Sequence, residues 1–121
     1  MTIKYSDEHS WVMLNEESSA TIGITDFAQE QLGDLMKIEL PELGTQITRG
    51  NAVCNIESVK TASELIAPVS GTIIEVNNAL DDEPENVNDD PMGDGWFIKV
   101  EMSDETELDE LMDQDSYDNI A

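Results

Sequence analysis

At 121 residues with 39% hydrophobic content, the chain fits one domain that can bury a core without metal or disulfide staples. Its 28 acidic against 5 basic side chains, a formal charge of −23, set it against nucleic-acid backbones and anionic membrane surfaces, which recruit Lys and Arg. The same field favours solubility and partners with basic docking surfaces. The single cysteine, Cys54, excludes an intrachain disulfide framework and points to a reducing compartment. No apolar run approaches the ~20 residues of a membrane span. The start, MTIKYSDEHS, shows neither a basic-then-apolar secretory pattern nor an arginine-rich transit pattern.

In chain order, HSWVML (9–14) predicts a strand, NEESS (15–19) a polar turn, and ATIGI (20–24) a second strand, which makes a hairpin. TDFAQEQLG (25–33) predicts a short helix. Thr25 or Asp26 caps it, Gln29 stands three residues beyond Asp26, Gly33 ends it, and Phe27 and Leu32 face inward. LMKIEL (35–40) predicts a strand, and PELGTQITRG (41–50) a loop. NAVCNIE (51–57) predicts a strand with Ala52, Cys54 and Ile56 on one face. SELI (63–66) follows, then a turn at APVSG (67–71) and a strand at TIIEV (72–76). The stretch from Asn77 to Gly95 predicts a long acidic loop pinned by Leu80 and Val87, followed by a last strand, WFIKVEM (96–102). SDETELDELMD (103–113) predicts a C-terminal helix, with Asp104 and Glu107 as a capping box and Leu108, Leu111 and Met112 on one face. The segment 114–121 is expected to be a less ordered tail, with Tyr117 as its docking point.

Many short strands at even spacing predict a small barrel or sandwich. A faint internal repeat divides it: MKIEL, a loop and AVCNIE before Lys60; TIIEV, a loop and WFIKVE after it. Two such strand–loop–strand units joined by a hairpin imply a pseudo-twofold sandwich.

The chemistry-bearing residues are few. With one Cys and one His, no metal-ligand spacing exists. A Ser-His-Asp triad would have to use His9, and no nucleophile elbow accompanies it. GDG (93–95) lacks the helix that a phosphate loop needs. Cys54 lies mid-strand, where a buried thiol is inert. Lys60 is different. It stands between two short apolar alternating runs, at the tip of the hairpin they predict, and a tip projects a side chain to where another enzyme can engulf it. Acylation there would also remove its charge.

ESVKTASEL followed by APVSG resembles the lipoylation hairpin of the glycine cleavage H-protein family. ATIGITDFAQEQLGD (20–34), ELPELGT (39–45), EVNNAL (75–80), NDDP (88–91) and GWFIKVE (95–101) are similar to that family in the same order, over nearly the whole chain. Biotin-carrier domains share the architecture, but their lysine lies between methionines, whereas Val59 and Thr61 flank Lys60.

The resemblance implies a mainly β barrel-sandwich hybrid of the lipoyl/biotinyl-carrier type. It would have a short helix after the first hairpin, a C-terminal helix, and one lipoyl-carrier domain over 1–121. It implies a carrier, not an enzyme, with lipoate in amide linkage on Lys60. Its implied partners are the P protein, which decarboxylates glycine; the T protein, which receives the aminomethyl group and hands a one-carbon unit to tetrahydrofolate; the L protein, which reoxidises the dithiol; and the lipoylating enzymes. Nucleic acid and membrane are not among them. The implied location is cytoplasmic, or the mitochondrial matrix for a processed eukaryotic chain. Glu57 and Glu64 match acidic positions of the family and, with Ser58 and Val59, are the expected supports of the hairpin tip. A cleft for the loaded arm is expected around Glu8, His9 and Ser10 and at the start of the first helix. The family reads His-Glu-Trp where this chain places Ser10 between His9 and Trp11, so Glu8 or Asp7 is the candidate for that charge. An H-like protein that relays its lipoyl group to other complexes would share Lys60 and is the alternative.

Overall fold

The structure is a computed structural model and describes residues 3–15 and 18–120; Glu16 and Glu17 of the first turn lie outside the described residues. Among the described residues, nine strands form two antiparallel sheets. They are β1 (Ile3–Tyr5), β2 (Ser10–Leu14), β3 (Ser19–Ile24), β4 (Leu35–Glu39), β5 (Gln46–Ile47), β6 (Ala52–Ser58), β7 (Ala62–Ile66), β8 (Gly71–Val76) and β9 (Ile98–Met102). The larger sheet runs β1-β2-β3-β9-β8-β5 and the smaller β4-β6-β7. The helices are α1 (Asp26–Leu32), α2 (Ala79–Asp82), α3 (Asn86–Asp89) and α4 (Gln114–Asp118).

The main core lies between the sheets. Alternation sends Ile22 and Ile24 from β3, Ile98 and Val100 from β9, Ile73 from β8, and Cys54 and Ile56 from β6 into it. Burying each branched aliphatic or aromatic side chain contributes about 1.5–3 kcal/mol. β3 is buried along most of its length, and its other face meets a separate aromatic cluster of Tyr5, Trp11 and Tyr117. Gly23 stands opposite Trp11 in register, and a Cβ on it would sit 2.8 Å from the indole Cζ2. The Trp11 ring therefore occupies space that a side chain at residue 23 would need. Its Nε1–H donates to the Pro91 carbonyl at 3.1 Å, which satisfies the one polar atom of the buried ring.

The first hairpin, α1 and the strands around Lys60 form as the sequence predicts. Thr25 is the cap of α1: its hydroxyl accepts from the Ala28 N–H, while Asp26 accepts from the Gln29 amide at 2.8 Å. Leu32 is buried, whereas Phe27 is half-buried. Ala52 is exposed instead of facing in with Cys54 and Ile56, because the β6–β7 register shifts between Ala52 and Cys54. β1 and β5 add two short strands that the sequence reading left unassigned. β5 forms inside the expected 41–50 loop by pairing with β8.

The C-terminal region corrects two expectations. Residues 103–113 do not form an α-helix; Glu105–Glu110 makes a 3-10 turn. The capping box fails because Glu107 is used elsewhere: its carboxylate accepts from the Ser70 N–H at 2.7 Å and the Ser70 hydroxyl at 2.9 Å. The C-terminal α-helix is instead α4, Gln114–Asp118, further along the chain than expected. Asp113 caps α4 by accepting from Ser116 N–H at 2.9 Å, and Tyr117 is buried against Tyr5, ring centroids 4.9 Å apart. Just before it, Tyr5 and Met112 exchange both backbone hydrogen bonds at 2.8 Å, which covers the β1 edge. The expected 77–95 loop contains α2 and α3, with Leu80 and Val87 fully buried as its pins. No helix of the described residues is long and apolar enough to cross a membrane.

Candidate functional site

Lys60 is exposed at the tip of the β6–β7 hairpin, in the four-residue turn Ser58-Val59-Lys60-Thr61, closed by Ser58 N–H donating to the Thr61 carbonyl at 2.9 Å. Ser58 ties the turn a second time. Its hydroxyl accepts from the N–H groups of Lys60 (3.3 Å) and Thr61 (3.1 Å) and donates to the Thr61 carbonyl (3.0 Å). A serine at this position is therefore a structural knot, the local turn chemistry typical of its short hydroxyl. Val59 is 61% exposed, an apolar side chain left beside the lysine. Among the described residues no carboxylate lies within ion-pair distance of the Lys60 Nζ.

The tip rests on the corner between α1 and β4. The Val59 N–H donates to the Asp34 carbonyl at 3.0 Å. Gly33 has φ 77° and ψ −157°, a region nearly reserved for glycine, and not the left-handed helical cap that its place in the sequence suggests. A Cβ on Gly33 would lie 3.1 Å from Lys60 Cε. The lysine stem thus runs over a glycine.

Between α1 and the hairpin lies a cavity of about 150 Å³. Glu8, His9, Ile24, Phe27, Ala28, Gln31, Leu32, Ile56, Ser63 and Glu64 line it. Its walls are apolar, and its carboxylates are Glu8 and Glu64. Its α1 end, at Gln31 and Leu32, adjoins Gly33. The structure therefore brings Glu8, His9 and Glu64 together from three sequence-predicted positions. It does not bring Ser10 with them: Ser10 is buried, with its hydroxyl 2.6 Å from that of Ser6. Asp7 faces a different cavity, shared with Arg49 and Glu110. Glu57 is exposed on the outer face of the small sheet, opposite Lys37 and Ala62 in register.

His9 has φ 63° and is held on two sides. Its ring centroid is 4.6 Å from that of Phe27, and its Nδ1 is 2.7 Å from the Tyr117 hydroxyl. That hydroxyl is also 2.6 Å from Thr25 Oγ1, which in turn caps α1. Tyr117 has one proton for two neighbours, so it donates to one and accepts from the other, and the tautomer of His9 decides the direction of the chain. Burial foremost, and then the Asp118 charge, raise the Tyr117 pKa above its ordinary value, with the Thr25 hydrogen bond opposing them, so the phenol stays protonated at neutral pH. Burial likewise pushes the Cys54 thiol up to about 12, which keeps it neutral and unreactive.

Sequence reasoning missed Tyr117 as a support of His9, Gly33 as the bed of the lysine stem, and the pocket walls Ile24 and Gln31, whereas Phe27 lies at the helix start where the cleft is expected. Gly33 carried a local signal that read as a helix stop, and Tyr117 one that read only as a docking point.

The glycine cleavage H-protein family model matches residues 3–121. The glycine cleavage system H protein of Rhodospirillum rubrum is 52% identical over 94% of this chain and 90% of its own length. That of Thermotoga maritima is 52% identical over 94% and 91%. The crystal structure of a glycine cleavage system H protein from Mycobacterium marinum superposes with a TM-score of 0.88 at 36% identity, covering 97% of this chain and 94% of that one. Its two β-sheets, its lysine-tipped hairpin and this likeness along the full described length agree, and the chain belongs to the glycine cleavage H-protein family.

Proposed function

We propose that this chain is the lipoyl carrier of a glycine cleavage system, loaded through an amide on Lys60, and that it is not itself a catalyst. The observation that carries this reading is the exposed Lys60, without an ion-pair partner among the described residues, at the end of a turn tied by Ser58 and hydrogen-bonded to Asp34. An attachment lysine has to be reachable by a modifying enzyme and held where that enzyme expects it, and both conditions fit here. Val59 offers an apolar foothold next to it, and Glu57 and Glu64 mark the flanks of the hairpin with negative charge.

When bound, lipoate supplies a disulfide that opens to a thiol pair, and so carries a one-carbon unit and two electrons. The residues of the chain do the rest. Ile24, Phe27, Leu32 and Ile56 offer an apolar bed to the alkyl part of the arm. Glu8 and Glu64 in the same cavity attract a protonated amine, an interaction that strengthens as the cavity walls exclude water. Tyr117 and Phe27 hold the His9 ring in the wall. The P protein, the T protein and the L protein then each meet the arm in turn, with tethering raising its local concentration at the docked site.

The test is the intact mass of the protein from its native cells, with the modified peptide mapped, alongside Lys60→Ala. A lipoyl increment on Lys60 that is lost in the variant, together with lost glycine decarboxylation coupled to transfer, is the expected result. Lipoate retained on the variant overturns the assignment.

A further inference from the structure

Asn88 lies in α3, within the acidic connection between β8 and β9, and binds one corner of the fold through three hydrogen bonds. Its Nδ2 donates to the Gly33 carbonyl at 2.8 Å and to Gln29 Oε1 at 2.9 Å. Its Oδ1 accepts from the Leu35 N–H at 2.9 Å. One side chain thus holds the end of α1 and the start of β4 together. Two of its partners are acceptors and the third a donor, a set that only an amide satisfies.

The corner it holds is the one that carries the hairpin tip. Asp34, between the two clamped residues, accepts from the Val59 N–H, and Gly33 lies beneath the Lys60 stem. The bonds of Ser58 fix the shape of the turn but not its place on the body. Among the described residues, the Val59–Asp34 bond is the hydrogen bond that joins residues 59–61 to an element outside the hairpin.

We propose that Asn88 is a positioning residue for the attachment lysine, acting through the Gly33–Leu35 corner. The proposal rests on the carrier reading of Lys60. Asn88→Ala removes the clamp. Asn88→Asp keeps the acceptor for Leu35 but turns a carboxylate oxygen toward the Gly33 carbonyl and the Gln29 oxygen, so it is no rescue. Asn86 in the same helix donates from its side chain to exposed Glu83 at 3.3 Å, away from the corner, and Asn86→Ala is the control.

The experiment uses the full unmodified chain, a lipoate–protein ligase, lipoate and ATP, with acylation of Lys60 followed by mass. Misplacing a reacting group by a fraction of an ångström to an ångström costs about tenfold or more, so kcat/KM for acylation should fall about tenfold in both Asn88 variants and hold in Asn86→Ala. Amide exchange supplies a readout independent of loading. The Val59 amide should lose protection in both variants, and the Leu35 amide with it in Asn88→Ala, while Cys54 and Ile56 keep theirs. Unchanged acylation with Val59 still protected overturns the proposal. Should neither variant fold, the wild type decides: a Val59 amide exchanging as an open turn amide, uncoupled from Leu35, overturns it. A wild-type chain that takes no acyl group on Lys60 overturns the carrier reading, and the exchange data still judge the corner.

Discussion

β4 and β6, with the loop between them, read in sequence like β8 and β9 with theirs, and each pair is antiparallel, directly in the small sheet and directly in the large one. Their loops cross over. The first sends β5 to pair with β8, and the second packs α2 on β4. From there the units diverge. The first runs on into an exposed hairpin whose tip is Lys60. The second has a connection long enough to hold two short helices, and from one of them Asn88 reaches the corner under that tip. Like strand patterns thus serve unlike purposes: one unit presents a side chain, and the other supports the place where it is presented.

Substitutions in each unit should separate those purposes. The largest stability loss is expected from Gly71→Ala in the second unit. Gly71 pairs with both Ile47 and Met102, and a Cβ there would run into the Glu101 carbonyl, backbone that cannot step aside. A loss of about 3 kcal/mol is expected, at the upper end of overpacking, measured by denaturant unfolding. Lys60→Ala in the first unit should change the same measurement by less than about 0.5 kcal/mol, as an exposed site does, while abolishing attachment. Equal losses would erase the distinction.

Next is Gly33→Ala, between the two units. Its backbone conformation nearly excludes other residues, so a cost of about 1–3 kcal/mol is expected. The Lys60 stem, being flexible, should shift to accept the methyl. Slower lipoylation with the fold retained, read by mass at a temperature well below the transition, would show the corner reaching the tip.

A smaller effect, about 1 kcal/mol, is expected for Tyr117→Phe, which removes the hydroxyl shared by His9 and Thr25. Proton NMR of the His9 ring should register it even where the unfolding curve barely moves.

The last contrast is alkaline. The first unit buries a titratable thiol, Cys54, where the second buries aliphatic side chains. Its folded pKa of about 12 stands above the ordinary 9.0, so in that window the unfolded chain has already lost the proton that the native state keeps. The unfolded state then binds fewer protons, and stability falls as pH rises from the ordinary value toward the folded one, while below it the contribution is fully present. Cys54→Val should flatten that part of the stability–pH curve, leaving the slope from Tyr5 and Tyr117, both raised chiefly by burial.

The sequence alone determined the strands with strict alternation, the capped helix α1 and the place of Lys60 at a hairpin tip. Each of these rests on forces acting within a few residues: side-chain period, caps and turn closure. Tertiary structure alone decided the C-terminal region, because the capping-box glutamate found a better partner in Ser70, 37 residues away, and Tyr117 gained burial against Tyr5. It likewise decided the pocket and its supports. Glu8, Glu64, Phe27 and Ile56 meet only when two sheets and a helix close on one another, and the three bonds of Asn88 span up to 59 positions of chain. Within an acidic loop full of Asp and Asn, nothing local separates Asn88 from its neighbours. Its role depends on which backbone groups the fold leaves without a strand or helix partner at that corner.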